Sequence, residues 1–296
     1  MNIGIIGAGA WGTALAILSA KSGNDIVLWA FDADEAKNMQ KDRENPYLPG
    51  VKLPKNITIT PEMADLQGVE AWLIVTPAEH FRKTIQKSRL FWKNQPIIVC
   101  TKGMEISGKF MSEVLLEELP IEKELIGVLS GPQFAGEVAR GEPTGSTIAG
   151  GPKVVDTARK ALADLTLVET DDVIGTEVCG TGKNAVAILL GYIDANGVGE
   201  NERALTLTQA WDEIVRFGVA LGAKTDTFLG LCGLGDLFLT ATSRTSRNYS
   251  AGASLAAGIQ PTGTVEGISA IKGLSTLANK HKIKMPHLEF LAKIIQ

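Results

Sequence analysis

The chain has 296 residues, 45% hydrophobic and 21% charged, an ordinary globular composition whose length suits about two domains with cores that need no disulfide or structural metal. Its 29 basic and 33 acidic side chains give a formal net charge of -4, which excludes the broad positive field of a general nucleic-acid or anionic-membrane binder. Any polyanion it holds is expected to be small.

In chain order, short β-branched runs alternate with helical patterns through the first half: Ile3 to Ile6, Ile26 to Trp29, Trp72 to Val75, Ile97 to Cys100 and Ile126 to Leu129, with Ser146 to Ala149 as a further candidate. Such alternation predicts βα units around a mostly parallel sheet. Four of the runs end in turn-forming clusters: Gly7-Ala8-Gly9, Thr76-Pro77, Thr101-Lys102-Gly103 and Ser130-Gly131-Pro132. Ligands in open α/β sheets bind outside the carboxyl ends of the strands, so these clusters are expected to meet at one crevice. From about Thr176 the period becomes helical. Leu207, Trp211, Ile214, Val215 and Leu221 share a face, as do Ile268, Ile271, Leu274 and Ala278, and Leu288, Leu291 and Ile295 follow Pro286. Gly230, Gly233, Gly235 and the polar run from Thr240 to Ser250 predict breaks and one long loop. The expected organisation is an α/β Rossmann-like domain, 1–176, and an all-helical domain, 177–296.

Cys100, Cys179 and Cys232 lie far apart in sequence and form no CxxC pair, so buried reduced thiols are expected rather than a disulfide framework or a metal site. Only three histidines are present, His80, His281 and His287, which favours lysine or carboxylate for acid-base work. No basic n-region precedes the first strand, and the longest apolar stretch, Asn184 to Ile193, is shorter than the roughly 18 residues of a membrane span. A cytoplasmic chain without membrane insertion is the expectation.

The segment Gly7-Ala8-Gly9-Ala10-Trp11-Gly12 is a GxGxxG string between a strand and a helix. In that context Gly7 makes the tight turn, Gly9 lets the backbone approach a pyrophosphate, Gly12 allows the helix to pack on the strand, and the helix N-terminus receives the phosphates. Asp32 lies 20 residues beyond Gly12, where a carboxylate accepts from a ribose 2′-hydroxyl or simply solvates a helix start, and Phe31 can stack on adenine. These residues favour NAD, with NADP also possible.

The GxGxxG string together with Asn45-Pro46-Tyr47-Leu48-Pro49-Gly50, Thr101-Lys102-Gly103-Met104-Glu105, Gly131-Pro132-Gln133-Phe134-Ala135-Gly136-Glu137, Lys183-Asn184, Gly233-Leu234-Gly235-Asp236-Leu237 and Ser246-Arg247-Asn248 resembles the NAD(P)-dependent glycerol-3-phosphate dehydrogenases, in family order over nearly the whole chain. The resemblance implies a Rossmann-like domain followed by a 6-phosphogluconate-dehydrogenase-like helical domain. It also implies reversible reduction of dihydroxyacetone phosphate to sn-glycerol 3-phosphate for glycerophospholipid synthesis, and a homodimer.

By the same resemblance Lys183 is the proton donor and acceptor, Lys102 touches substrate and cofactor, and Gly131, Gln133, Asp236, Thr240, Ser246, Arg247 and Asn248 complete the substrate site. Ala10, Trp11, Phe31, Ala135, Arg247 and Glu266, with Gly7, Gly9 and Gly12, are the implied cofactor contacts. Chemistry is consistent with these roles. Hydride addition builds negative charge on a ketone oxygen, which needs a proton donor and a cation; Asp236 can hold an ammonium in place, and Arg247 has the planar fork that suits phosphate. A lysine's ordinary pKa of about 10.4 is high for this exchange, so burial and the second lysine are expected to depress it. Lys183 is expected to open the apolar helix, and Gly182 before it to loosen the backbone. The alternative for Asp236 is a cap on a helix that starts at Leu237. Gln133 and Ala10 stand where serine is common in the family, and the run Asp194 to Gly199 departs from the family pattern. The chain also ends early for the family, at Gln296, as if a final helix were missing. A related hydroxyacid dehydrogenase and a catalytically weak NAD-binding sensor are the alternatives.

Overall fold

The structure, a computed structural model, describes residues 1–263 and 265–295; Gln296, where the chain was expected to end early, lies outside them. The first half runs β1 (Asn2–Ile6), α1 (Ala10–Lys21), β2 (Asp25–Trp29), α2 (Ala33–Asp42), a small hairpin of β3 (Glu44–Asn45) and β4 (Leu48–Lys52), then β5 (Ile57–Thr60), β6 (Ala71–Ile74) and α3 (Ala78–Ser88). It continues with β7 (Ile97–Val99), α4 (Met111–Glu118), β8 (Ile126–Ser130), α5 (Ala135–Arg140), β9 (Gly145–Gly150), α6 (Pro152–Ala161) and β10 (Thr166–Thr170). Eight strands form one sheet in the order β10-β9-β8-β7-β6-β1-β2-β5, parallel throughout except at the antiparallel β8–β9 pair.

The central strands are apolar because helices cover both faces of the sheet. Every residue of β6 and β7 is buried, and two separate hydrophobic clusters form on either side. The neighbouring strands β8, β7, β6 and β1 carry the four turn clusters at their carboxyl ends, so all four do meet along one edge. Thr101 fastens two of them by donating from Oγ1 to the Thr76 carbonyl at 2.7 Å.

Four strands are missing from the sequence expectation. β10 is an edge strand with mostly exposed or half-buried residues, β5 is a four-residue edge, β3 has two residues and its hairpin partner β4 is mostly exposed, so none has the apolar run that marks an interior strand.

The second half is helical among the described residues: α7 (Val173–Ala195), α8 (Glu200–Ala220), α9 (Asp236–Thr242), α10 (Arg247–Ala256), α11 (Glu266–His281) and α12 (Pro286–Ile294). α7 is its axis, packed by α8, α9, α10 and α11. Two expectations change here. The apolar stretch Asn184 to Ile193 is only the second half of α7, a 23-residue helix long and apolar enough to cross a membrane by length and composition, yet 89% of its apolar window is buried within the protein. Thr176 and Glu177, where the domain seam was expected, lie in the first turns of this helix, whose N-cap is Asp172.

Asp172 shows why α7 starts where it does. Its Oδ1 accepts from the Gly175 N–H at 2.8 Å, and its Oδ2 accepts from the Lys224 N–H and the Thr227 hydroxyl. Lys183 is consequently not at the opening of the helix but in its middle. Gly182 does not loosen it: a Cβ there would meet Ile214 Cγ2 at 2.5 Å, so the glycine allows α7 and α8 to pack closely. The predicted long loop from Thr240 to Ser250 is also shorter, since α9 runs to Thr242 and α10 starts at Arg247. Asp194 pairs with Arg203 at 3.1 Å and accepts from the Tyr249 hydroxyl.

Candidate active site

The glycine turn after β1 has the shape that a dinucleotide needs. Gly7 has φ +119°, a conformation disfavoured for any side chain, and a Cβ on Gly12 would fall 1.8 Å from the Gly7 carbonyl oxygen. A Cβ on Gly9, the N-cap of α1, would meet nothing within 4 Å, so the turn is crowded behind and open in front, where a pyrophosphate would lie against the helix N-terminus. Ala10 and Trp11 form the first turn of α1, and Ala135 opens α5. The turn is braced by a residue that the sequence pattern left without a role: Asn45 is fully buried in β3 and donates from Nδ2 to the Ala8 carbonyl at 2.8 Å and to Thr13 Oγ1 at 2.6 Å.

At the end of β2, Asp32 caps α2, its Oδ1 accepting from the N–H groups of Asp34 and Glu35. The helix-start reading therefore holds for Oδ1, and neither of these bonds uses Oδ2. Phe31 is 78% exposed, and Lys87 of α3 lies over its ring at 5.3 Å. That cation comes from more than fifty positions away and has no signature near the glycine motif.

Lys183, Asp236 and Lys102, far apart in sequence, come together. Asp236 is fully buried and takes one lysine on each oxygen, Lys183 Nζ on Oδ1 at 2.7 Å and Lys102 Nζ on Oδ2 at 2.8 Å. It begins α9 but acts as the shared counter-ion rather than as a helix cap. Lys183 also donates to Thr240 Oγ1 at 2.9 Å, and Lys102 donates to the Gly131 carbonyl at 2.7 Å. Gly180, one turn before Lys183, makes room for this crossing: a Cβ there would meet Ser130 Oγ at 3.1 Å and the Lys102 side chain at 3.7 Å.

Desolvation lowers the Lys183 pKa to about 8; Lys102 pushes in the same direction, while Asp236 and Glu266 oppose it. The lysine thus reaches the range where it can both give and take a proton near neutral pH. Glu266, half-buried at the start of α11, has its carboxyl pKa raised by burial, with Arg247, Lys183 and Lys102 pulling it back.

A chain of amides joins this trio to the surrounding helices. Asn184 donates from Nδ2 to the Lys102 carbonyl at 3.2 Å, Asn248 donates to Asn184 Oδ1 at 2.8 Å, and Asn248 Oδ1 accepts from the Gly267 N–H at 3.0 Å. Asn248 is therefore first a structural link. Ser246 caps α10, accepting from the Tyr249 N–H, and Arg247 is exposed at the first position of that helix. The Gln133 amide, close to Gly131 in sequence, has its Nε2 and Oε1 buried without a hydrogen-bond partner among the described residues.

The histidines sit elsewhere: His80 is exposed beside Glu79, His287 pairs with Glu213, and His281 ends α11. All three cysteines are free and buried, and among the described residues no group of three or more His, Cys, Asp or Glu could hold a metal.

The NAD-dependent glycerol-3-phosphate dehydrogenase N-terminus pattern matches residues 2–155 and the corresponding C-terminus pattern matches residues 172–296. The chain belongs to this family. A glycerol-3-phosphate dehydrogenase [NAD(P)+] of Methylobacterium radiotolerans is 41% identical over 304 residues, covering 99% of this chain and 91% of that protein. A protein of the same name from Parvibaculum lavamentivorans is 38% identical over 307 residues, covering 99% and 92%. The crystal structure of glycerol-3-phosphate dehydrogenase from Coxiella burnetii superposes with a TM-score of 0.93 at 33% identity, covering all of this chain and 94% of that one. Membership accounts for the mostly parallel Rossmann-like sheet joined to a helical half.

Proposed function

We propose that this chain interconverts dihydroxyacetone phosphate and sn-glycerol 3-phosphate with NAD(P) as the redox partner, supplying glycerophospholipid synthesis. The observation that carries the chemistry is the buried Lys183–Asp236–Lys102 bridge beside the edge where β7 and β8 end. Gly7, Gly9 and Gly12, with Ala10, Trp11 and Ala135 at two helix starts, would hold the dinucleotide, and Phe31 would face its adenine. When bound, the reduced nicotinamide supplies the hydride for the ketone carbon.

Lys183 gives its ammonium proton to the ketone oxygen as negative charge grows there, and Lys102 stabilises that charge. Asp236 keeps both Nζ atoms in place. In the reverse direction neutral Lys183 takes the hydroxyl proton, which its lowered pKa permits. Ser246, Arg247 and Asn248 stand at the N-terminus of α10, where N–H groups, a helix dipole and a guanidinium suit a phosphate dianion. Gln133 has a free amide to offer the substrate.

The reading divides labour at the start of α7, with the cofactor half before it and the substrate-closing half after. It favours NAD through Asp32, against which Lys87 supplies a cation near Phe31. It also includes a cytoplasmic homodimer, by family resemblance.

Purified protein should oxidise NADH in proportion to added dihydroxyacetone phosphate. In Arg247→Ala the KM for this ketone should rise about tenfold to a hundredfold, the loss of a charged hydrogen bond of about 1.5–3 kcal/mol, with a smaller change in kcat. An unchanged KM would remove Arg247 from the phosphate site.

A further inference from the structure

The segment that carries Lys102 is a short hairpin wedged between the two halves. Glu105 N–H donates to the Lys109 carbonyl at 2.9 Å, and Met104 pairs with Phe110 as an antiparallel bridge. Met104 and Phe110 belong to the hydrophobic cluster of the helical half, and α11 presses on the hairpin so closely that a Cβ on Gly273 would meet the Glu105 carbonyl oxygen at 2.5 Å.

α3 also approaches the hairpin, with two residues one turn apart. A Cβ on Gly103 would meet Ala78 Cβ at 3.0 Å, and Arg82 grips Glu105 with two bonds, Nε to Oε1 at 2.7 Å and Nη2 to Oε2 at 3.0 Å. The same guanidinium reaches Glu117 at 2.8 Å and Glu118 on α4. A forked ion pair at the edge of a packed segment fixes orientation as well as distance. Three residues before Glu105, Lys102 must place its Nζ within hydrogen-bond range of both Asp236 and the Gly131 carbonyl.

We infer that Arg82 and Glu105 are positioning residues for Lys102: their bidentate pair holds the hairpin against α3 so that the Lys102 ammonium stays on Asp236. Neither residue touches the reacting atoms. The inference rests on the proposed dehydrogenase activity and adds to it a requirement outside the site itself. It also explains why α4 gathers acidic side chains opposite one arginine. Glu117 and Glu118 keep the guanidinium in place while Glu105 uses its fork.

The test compares wild type, Lys102→Ala, Arg82→Gln and Glu105→Gln in NADH oxidation with dihydroxyacetone phosphate across pH 6 to 10, alongside NADH binding followed by fluorescence and a thermal melt. The groups facing Lys183 are Asp236, Lys102 and Glu266, and Lys102 is the one that lowers its pKa by like charge. If the pair positions Lys102, both Arg82→Gln and Glu105→Gln lose about tenfold in kcat/KM with NADH affinity unchanged. Their falling limb at high pH moves upward, in the direction shown by Lys102→Ala. Arg82→Lys, which keeps the charge, should recover part of the rate.

A merely structural pair would lower the melting temperature and leave the limb and the KM of the folded protein where they were, and that outcome overturns the inference. Two variants guard against a folding failure in one of them. Wild type inactive on the ketone would sink the activity reading and the inference with it. An active wild type, a crippled Lys102→Ala and a normal Arg82→Gln would sink the inference alone.

Discussion

Replacing Lys183 with alanine should lower kcat for ketone reduction by about 10²–10⁴, the range general acid catalysis contributes, while NADH binding stays near wild type. Folding should survive, because Asp236 retains Lys102 at 2.8 Å and is not left as an unpaired buried charge. The pH profile gives the sharper check. Reduction needs the ammonium, so the wild-type rate should fall as pH rises through about 8, and oxidation, which needs the neutral amine, should rise through the same region. In Lys183→Ala both limbs should vanish from what activity is left. Steady-state kinetics in the two directions over that range would decide it, and a variant with wild-type kcat would take the proton-transfer role away from this lysine.

The second large effect belongs to Asp236. Asp236→Asn removes the charge that raises the Lys183 pKa, so the ammonium form is lost at lower pH and reduction at neutral pH slows. The falling limb should move down, opposite to the upward shift expected when Lys102 is removed. The variant should also be less stable by about 3–5 kcal/mol, since both lysines lose the carboxylate that they share in a buried site. The pH profile of kcat measures the first consequence and a chemical denaturation curve the second. Retention of both stability and limb position would mean that Asp236 is only a helix-start residue.

How much of this was legible in the sequence depends on range. The glycine turn was readable because its geometry is local: Gly7, Gly9 and Gly12 lie within six positions, and each does its work against the same turn. The interior strands were readable because burial on both faces makes them continuous apolar runs, whereas β5 and β10 at the sheet edges and the two-residue β3 lack that signal. The roles of Lys183, Lys102 and Asp236 came from family resemblance, with the chemistry of ketone reduction in agreement. No local spacing joins residues 102, 183 and 236, and the pairing of both lysines on one carboxylate exists only in the fold.

Other residues were invisible for the same reason. Asn45 braces a turn that lies 37 positions earlier, and Arg82 reaches Glu105 across 23 positions. Gly180 matters for the side chain that it lacks, one turn before Lys183 and against Lys102. Gly182 shows the converse error. A glycine beside a functional residue suggests a loose backbone, yet in the middle of a buried helix it is a contact surface for Ile214.

The most direct test of the dehydrogenase account is a single assay of purified protein, monitoring reduced dinucleotide consumption with dihydroxyacetone phosphate or phosphate-free dihydroxyacetone, each with NADH and with NADPH. The account predicts turnover that depends on the phosphorylated ketone, yields glycerol 3-phosphate in equal amount, and is faster with NADH. NADH binding without turnover, or equal turnover on the phosphate-free ketone, would contradict it.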